Sequence, residues 1–200
     1  MSAMARERFR VEHQSPVGVL SAVEPTLAEV RAAASQLSEY YNDDHNSSMM
    51  AHEERLSPED AIEFFEETTA DGGRCFFLYL DGVLVGDADF RDVDGGCAEF
   101  AIMIGDRSLQ GKGLGKKFTI MLHELAFRNL GLERIYATFV PANFISMRMF
   151  EKLGYERDES PVSRSFTDDE SDISMSVDGA AFRRACGPMI DPIEISRLPV

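Results

Sequence analysis

The 200-residue sequence predicts a single α/β domain of the α+β kind, a mixed and mostly antiparallel sheet flanked by helices. Two observations carry that prediction. Asp81-Gly82 joins two β-rich runs and a Gly95-Gly96 loop leads to a third, which makes an antiparallel meander. After it, the apolar spacing switches between helical and strand periods, giving helix, strand, helix and strand. An apolar content of 44% over this length suits one sizeable core, and no change of composition marks a second domain.

Residues 17–23 are expected to form the first strand and 25–37 the first helix. Residues 39–54, with Tyr40, Tyr41, Asp43, Asp44 and His45, have no clean period and read as a short helix and loop. Ser57-Pro58-Glu59-Asp60 is a helix start: Ser57 can cap, Pro58 sits where its missing N–H costs nothing, and Asp60 stands at the third helical position. That helix should run to about residue 69 and bury Ala61, Ile62 and Phe65. Residues 74–80 and 83–91 form the hairpin, and 98–104 the third strand. Leu114, Phe118, Met121, Leu122, Leu125 and Ala126 then recur at helical spacing until Gly131, a good left-handed stop. Residues 132–140 read as a strand. Asn143 caps a short helix with Ile145, Met149 and Leu153 on one apolar face and Gly154 at its end. A strand follows at Tyr155, and residues 171–177 alternate as the last one. The tail, about residues 186–200, carries no clear signal.

Gln110-Gly111-Lys112-Gly113-Leu114-Gly115 lies between the third strand and the helix after it. Its glycines allow successive backbone N–H groups to converge on one anion at a helix N-terminus. A Walker loop would need glycine where Gln110 stands and Ser or Thr where Lys117 stands, and a dinucleotide fingerprint would need glycine at Lys116. The pattern that remains, Q-x-x-G-x-G, resembles the cofactor motif of the GNAT superfamily of acetyl-CoA-dependent N-acetyltransferases. Residues 143–155, NFISMRMFEKLGY, resemble the second signature of that superfamily, N-x-x-[AS]-x-x-[FL]-[YF]-x-K-x-G-[FY]. The resemblance covers a cofactor core of about residues 83–156.

The resemblance implies a GNAT fold in which two middle strands, here 98–104 and 132–140, splay apart around the pantetheine arm of acetyl-CoA. It implies that Gln110, Gly111, Lys112, Gly113, Leu114, Gly115 and Lys116 cradle the pyrophosphate. Met103 and Ile104 would line the arm, with the Met103 N–H on the thioester carbonyl, and Asn143, Ser146 and Phe150 would lie toward the sulfur. Phe150 stands where many members carry a tyrosine that protonates the thiolate, and a phenyl ring cannot do so. Ser146 is the remaining hydroxyl, as in the RimJ/RimL-type ribosomal-protein N-terminal acetyltransferases that the chain most resembles in pattern. Glu99, eleven residues before Gln110, matches the catalytic glutamate of the histone-acetyltransferase branch. It is expected to take the ammonium proton or to orient the ammonium. Asn42-Asp43-Asp44 and the Leu56-Ser57-Pro58-Glu59-Asp60 helix start resemble the N-terminal segment of RimJ/RimL-type enzymes, which implies that a segment of about residues 25–70 walls the acceptor site and turns Tyr40, Tyr41, Asp43, Asp44 and Glu53 or Glu54 toward a cationic acceptor. That acceptor is either a protein N-terminus or a small cationic amine such as a polyamine or aminoglycoside-like compound. A non-catalytic acyl-CoA-binding module is the reading from a different class.

A formal net charge of −15 argues against nucleic-acid binding, which neutralises phosphates with basic groups. Against that background all four lysines, Lys112, Lys116, Lys117 and Lys152, fall in the two motif segments, a local positive patch suited to cofactor phosphates. Cys75, Cys97 and Cys186 are odd in number and show no ligand spacing, and neither do His13, His45, His52 and His123, so no disulfide framework and no metal is expected. The first ten residues lack a signal-peptide core and the apolar runs are too short to span a bilayer. The expectation is a soluble cytoplasmic protein with no membrane partner; the sequence sets no oligomeric state.

Overall fold

The computed structural model describes residues 6–50, 54–167 and 169–199. Its first hairpin joins β1 (Arg8–Ser15) to β2 (Gly18–Val23), with Val11 opposite Ala22. Side-chain caps fix the helices that follow. In α1 (Leu27–Tyr41) Thr26 accepts from the Glu29 N–H while the Glu29 carboxylate accepts from the Thr26 N–H at 2.6 Å. Asp43 caps the short α2 (Asp44–Met49), and the Ser57–Asp60 box starts α3 (Pro58–Ala70). Strands β3 (Arg74–Leu80) and β4 (Val83–Asp94) meet at a turn where Asp81 and Gly82 have φ of 50° and 80°, as a type I′ turn requires.

Strand β5 (Cys97–Ile104) leads through a 3-10 turn and the glycine segment into α4 (Leu114–Leu125), which widens into a π-helical turn at Ala126–Leu130 and stops at Gly131, φ 74°. Then come β6 (Arg134–Phe139), α5 (Phe144–Glu151), β7 (Glu156–Arg157), α6 (Pro161–Arg164), β8 (Ile173–Asp178), α7 (Gly179–Ile190) and β9 (Ile193–Leu198). The described strands make one sheet in the order β7-β8-β6-β5-β4-β3-β2-β1-β9, antiparallel except at β5 and β6. No helix among the described residues is long and apolar enough to cross a membrane.

The pleat gives the sheet two unlike faces. Phe76, Leu78, Phe90, Phe100 and Ile135 lie buried on one, in the main core that includes residues of α4 and α7. On the other, Phe77 and Leu84 meet Val30 and Leu37 of α1, with Ala61, Ile62 and Phe65 of α3 packed against them. Those three α3 residues are only partly buried, a shallower seat than the expected core positions.

Four expectations need correction. The strand at 17–23 is the second, because β1 precedes it: Phe9 and Val11 are buried, and the Arg and Glu between and around them disguise the alternation. Residues 171–177 are not the last strand, since α7 and β9 follow. The 186–200 tail is therefore largely ordered, with β9 adding to the sheet at β1 through pairs such as Val11 with Ile195. Finally, Ile145 is 71% exposed, and the face that α5 and its C-terminal turn bury is formed by Phe150 and Leu153, with Met149 partly covered.

Candidate active site

The parallel ladder between β5 and β6 holds only Cys97, Ala98 and Glu99 against Arg134, Ile135 and Tyr136. Past Glu99 the two strands part, and a cavity of about 710 Å³ occupies the gap. Glu99 and Thr138 line it from one face of the sheet and Phe100, Phe139 and Phe150 from the other, so it passes between the strands. Asn143 and Ser146 line it as well. Asn143 Oδ1 accepts from the Ser146 N–H at 3.3 Å as the cap of α5, while its Nδ2 donates to the Met49 carbonyl at 3.2 Å. One amide thus ties α5 to the last residue of α2.

From the cavity, β5 runs to the glycine turn. Gly111 and Gly113 have φ of 73° and 79°, and the space where a Cβ would stand is open at both. They are glycine for backbone conformation, not for lack of room. Whereas α1, α3, α5 and α7 are capped by side chains, α4 starts on Gly113 with no side-chain cap, leaving its first N–H groups for a ligand. The Gln110 side chain turns inward, its Nε2 donating to Asn46 Oδ1 at 2.8 Å and to the Ile104 carbonyl at 2.7 Å. Asn46 is buried and donates to the Gly105 and Tyr40 carbonyls, so the turn is bolted to the α1–α2 segment.

Across β4 and β5, ionisable groups gather on the α1 and α3 face. Arg91 pairs in register with Glu99, Asp89 with Ala101 and Asp87 with Met103. Arg91 Nε donates to Glu99 Oε2 at 2.7 Å and Thr138 Oγ1 to Glu99 Oε1 at 2.6 Å, so both oxygens of this buried carboxylate are engaged. The Tyr41 hydroxyl donates to Asp87 Oδ2 at 2.7 Å. Desolvation pushes the Asp87 carboxyl up to about 6, against the Tyr41 hydrogen bond. Among the described residues no cluster of His, Cys, Asp or Glu is placed to hold a metal ion.

The acetyltransferase (GNAT) domain family matches residues 25–156, which spans the parted strands, the glycine turn and the α1–α3 wall. The chain belongs to the GNAT family. The human alpha/beta-tubulin-N-acetyltransferase 9 is 30% identical over 105 residues, 44% of this chain, and the chain spans about half (50%) of that relative. Among solved structures, the aminoglycoside acetyltransferase AAC(6')-Ib in complex with coenzyme A and kanamycin has a TM-score of 0.68 at 22% identity, covering 82% of this chain and 98% of its own. Mycobacterium smegmatis RimJ in complex with CoA-disulfide has a TM-score of 0.67 at 16% identity, covering 93% and 96%. At these identities the two structures share the fold.

Within this GNAT domain the structure brings five of the catalytic and cofactor residues singled out from the sequence around one gap. Met103, Asn143, Ser146 and Phe150 line the cavity with Glu99; Ile104 lies where β5 leads out of it. Phe150 is 2% exposed, its ring 5.0 Å from that of Phe139 and 4.9 Å from that of Tyr155, a packing role on the cavity wall. Leu114 is buried in the core, Lys112 is exposed, and Lys116 lies half-buried in the first turn of α4. Of the expected acceptor residues that are described, only Tyr41 lines the cavity. Tyr40 is structural: its hydroxyl donates to the Leu84 carbonyl and its ring fills the space beside Gly105. Asp43 caps α2 and pairs with Arg107, Asp44 and Glu54 are exposed, and Glu53 lies outside the described residues. Sequence reading missed Asp87, Asp89, Arg91 and Thr138. Their signal was present, since Asp87, Asp89 and Arg91 alternate with Ala88 and Phe90, but on a strand this pattern is indistinguishable from a solvated face.

Proposed function

We propose that the chain is an acetyl-CoA-dependent N-acetyltransferase whose acceptor is a cationic primary amine, with a protein N-terminus as the first choice. The single observation that carries this is the cavity between the parted strands, open to the cofactor side at Met103, Asn143 and Ser146 and to an acidic side at Asp87, Asp89 and Glu99. In this reading the Gln110–Gly115 turn holds the pyrophosphate with main-chain N–H groups, the pantetheine lies along β5 at Met103 and Ile104, and Ser146 is the hydroxyl nearest the sulfur. Arg91 is the one cation among the described lining residues, so the cavity favours an ammonium over an anion.

The name of the human relative supports a protein acceptor. An acidic cavity of about 710 Å³ supports a small polyamine or amino sugar as the second reading. An acceptor screen that follows release of the CoA thiol separates them, and CoA binding with no transfer to peptides, polyamines or aminoglycosides would return the non-catalytic binding module. The cofactor assignment has its own test. Gly113→Val forces a left-handed backbone on a β-branched residue and places its side chain in the open cradle, so CoA affinity measured by calorimetry should fall at least tenfold in a folded protein. Unchanged affinity in that variant would refute the cradle.

A further inference from the structure

We infer, resting on the transferase reading, that Asp89 is the group that takes the proton from the acceptor ammonium and that Glu99 is a positioning residue acting through Arg91. The geometry separates the two carboxylates. Both oxygens of Glu99 already accept, one from Arg91 and one from Thr138. Asp89 is equally buried, at 5% exposure, yet its Oδ1 has no hydrogen-bond partner and stands 3.6 Å from Arg91 Nε, beyond hydrogen-bond length. That oxygen is itself closed to solvent, and a buried carboxylate without a donor on it is costly; an ammonium meeting the carboxylate from the cavity that Asp89 lines would offset the cost.

Position points the same way. Asp89 is registered with Ala101, two residues beyond Glu99 on β5 and past the last pair that joins β5 to β6. It therefore sits one strand spacing, about 4.8 Å, back from the open edge where the thioester would lie. Ala101 is its neighbour toward that edge, and both residues line the cavity. A larger side chain at 101 would wall Asp89 off.

The groups facing Asp89 are Asp87, Arg91 and Asp92 on its own strand, Glu99 on β5, Cys75 on β3 and Tyr41 on α1. From α3, Ala61 and Phe65 complete an apolar side. Desolvation first, opposed by Arg91 and reinforced by the charges of Asp87, Glu99 and Asp92, pushes the Asp89 carboxyl up to about 7. A base poised there is matched to neutral solution. In the step itself one N–H proton of R–NH3+ passes to the Asp89 carboxylate. The freed amine lone pair forms the C–N bond to the thioester carbonyl carbon. The adduct then expels the CoA sulfur as the C–S bond breaks. The second N–H proton moves to that sulfur and Asp89 returns its proton to solvent, leaving amide, CoA thiol and one proton.

The test is kcat/KM for wild type, Asp89→Asn and Glu99→Gln from about pH 6 to about pH 10, with spermidine and a short peptide bearing a free N-terminus as the probes, and CoA affinity measured for each as the control for folding. Asp89→Asn should lose about 100-fold or more near neutral pH with CoA affinity retained, and should recover as rising pH supplies free amine. Glu99→Gln should lose less and keep the acid limb of the profile, moved to lower pH because one charge that raises the Asp89 carboxyl is gone. An acid limb near pH 7 that survives in Asp89→Asn and vanishes in Glu99→Gln overturns the assignment in favour of Glu99, and an undiminished Asp89→Asn rate overturns it outright. A wild type that binds CoA yet acetylates neither probe at any pH overturns the transferase reading for these acceptors and this inference with it, which distinguishes that failure from the other two.

Discussion

The two faces of β4 carry opposite chemistry on one strand. Ala88 and Phe90 point into a continuous apolar core, where Phe90 stacks 4.9 Å from Phe100 and meets the edge of Phe76 at 6.2 Å. Asp87, Asp89 and Arg91, between and beside them, line the cavity, and two of their buried oxygens, Asp87 Oδ1 and Asp89 Oδ1, accept no hydrogen bond. One face is satisfied by other parts of the chain and the other is left incomplete. Apolar burial is worth about 25 cal/mol per Å² removed from water and is complete in the free protein. Desolvated carboxylates cost stability until a ligand arrives, the usual sign of a site in which stability and function trade against each other.

The comparison breaks first at Phe90. Truncating this ring, 1% exposed, should destabilise the fold by about 3 to 5 kcal/mol in urea unfolding, the range for a buried phenylalanine. A cost below about 1 kcal/mol would show that the apolar face is not what holds the sheet.

Its neighbour one residue away should behave with the opposite sign. The Asp89 carboxyl keeps its proton up to about 7 in the fold against an ordinary 3.8, so its contribution to stability is fully present below pH 3.8 and is lost as pH rises through about 7. Asp89→Asn removes that loss. The variant should be more stable than wild type above neutral pH by on the order of a few kcal/mol, and its stability should vary less across that window, with the smaller slope owed to Asp87 remaining. Identical pH dependence of unfolding in the two proteins would place Asp89 outside a desolvated site.

Asn143 sharpens the comparison because it serves both purposes at once. Loss of the cap in Asn143→Ala should cost about 1 kcal/mol, and loss of the amide that lines the cavity should weaken CoA binding in addition. A stability change with unaltered CoA affinity would leave this residue to the structural side alone.

Much of the molecule was legible because its signals are local. The Ser57–Asp60 box, the Asp81-Gly82 turn, the Asn143 cap and the left-handed glycines at 113, 131 and 154 each depend on neighbours within a few residues, and each appears where the sequence places it. The edge β1–β9 pair was not legible for the converse reason. Each strand is short, charged on one side and half-exposed, and β9 is recognisable only once β1 is present to pair with it, nearly the whole chain away.

The same division runs through the site. Sequence alone determined the family motif, the glycine turn and the helix that follows, because glycine stereochemistry and capping are properties of adjacent residues. It also named Glu99. Only the tertiary structure decided that Glu99 would be occupied by Arg91 and Thr138, that Tyr40 would brace Gly105 while Tyr41 reached Asp87, and that Asp89 would lie opposite Ala101 at the opening of the gap. These groups come from α1, β4, β5 and β6, and what each carboxylate can do depends on which donor reaches it and how much water is excluded. Both are set by long-range packing, on which the spacing of residues along a single strand is silent.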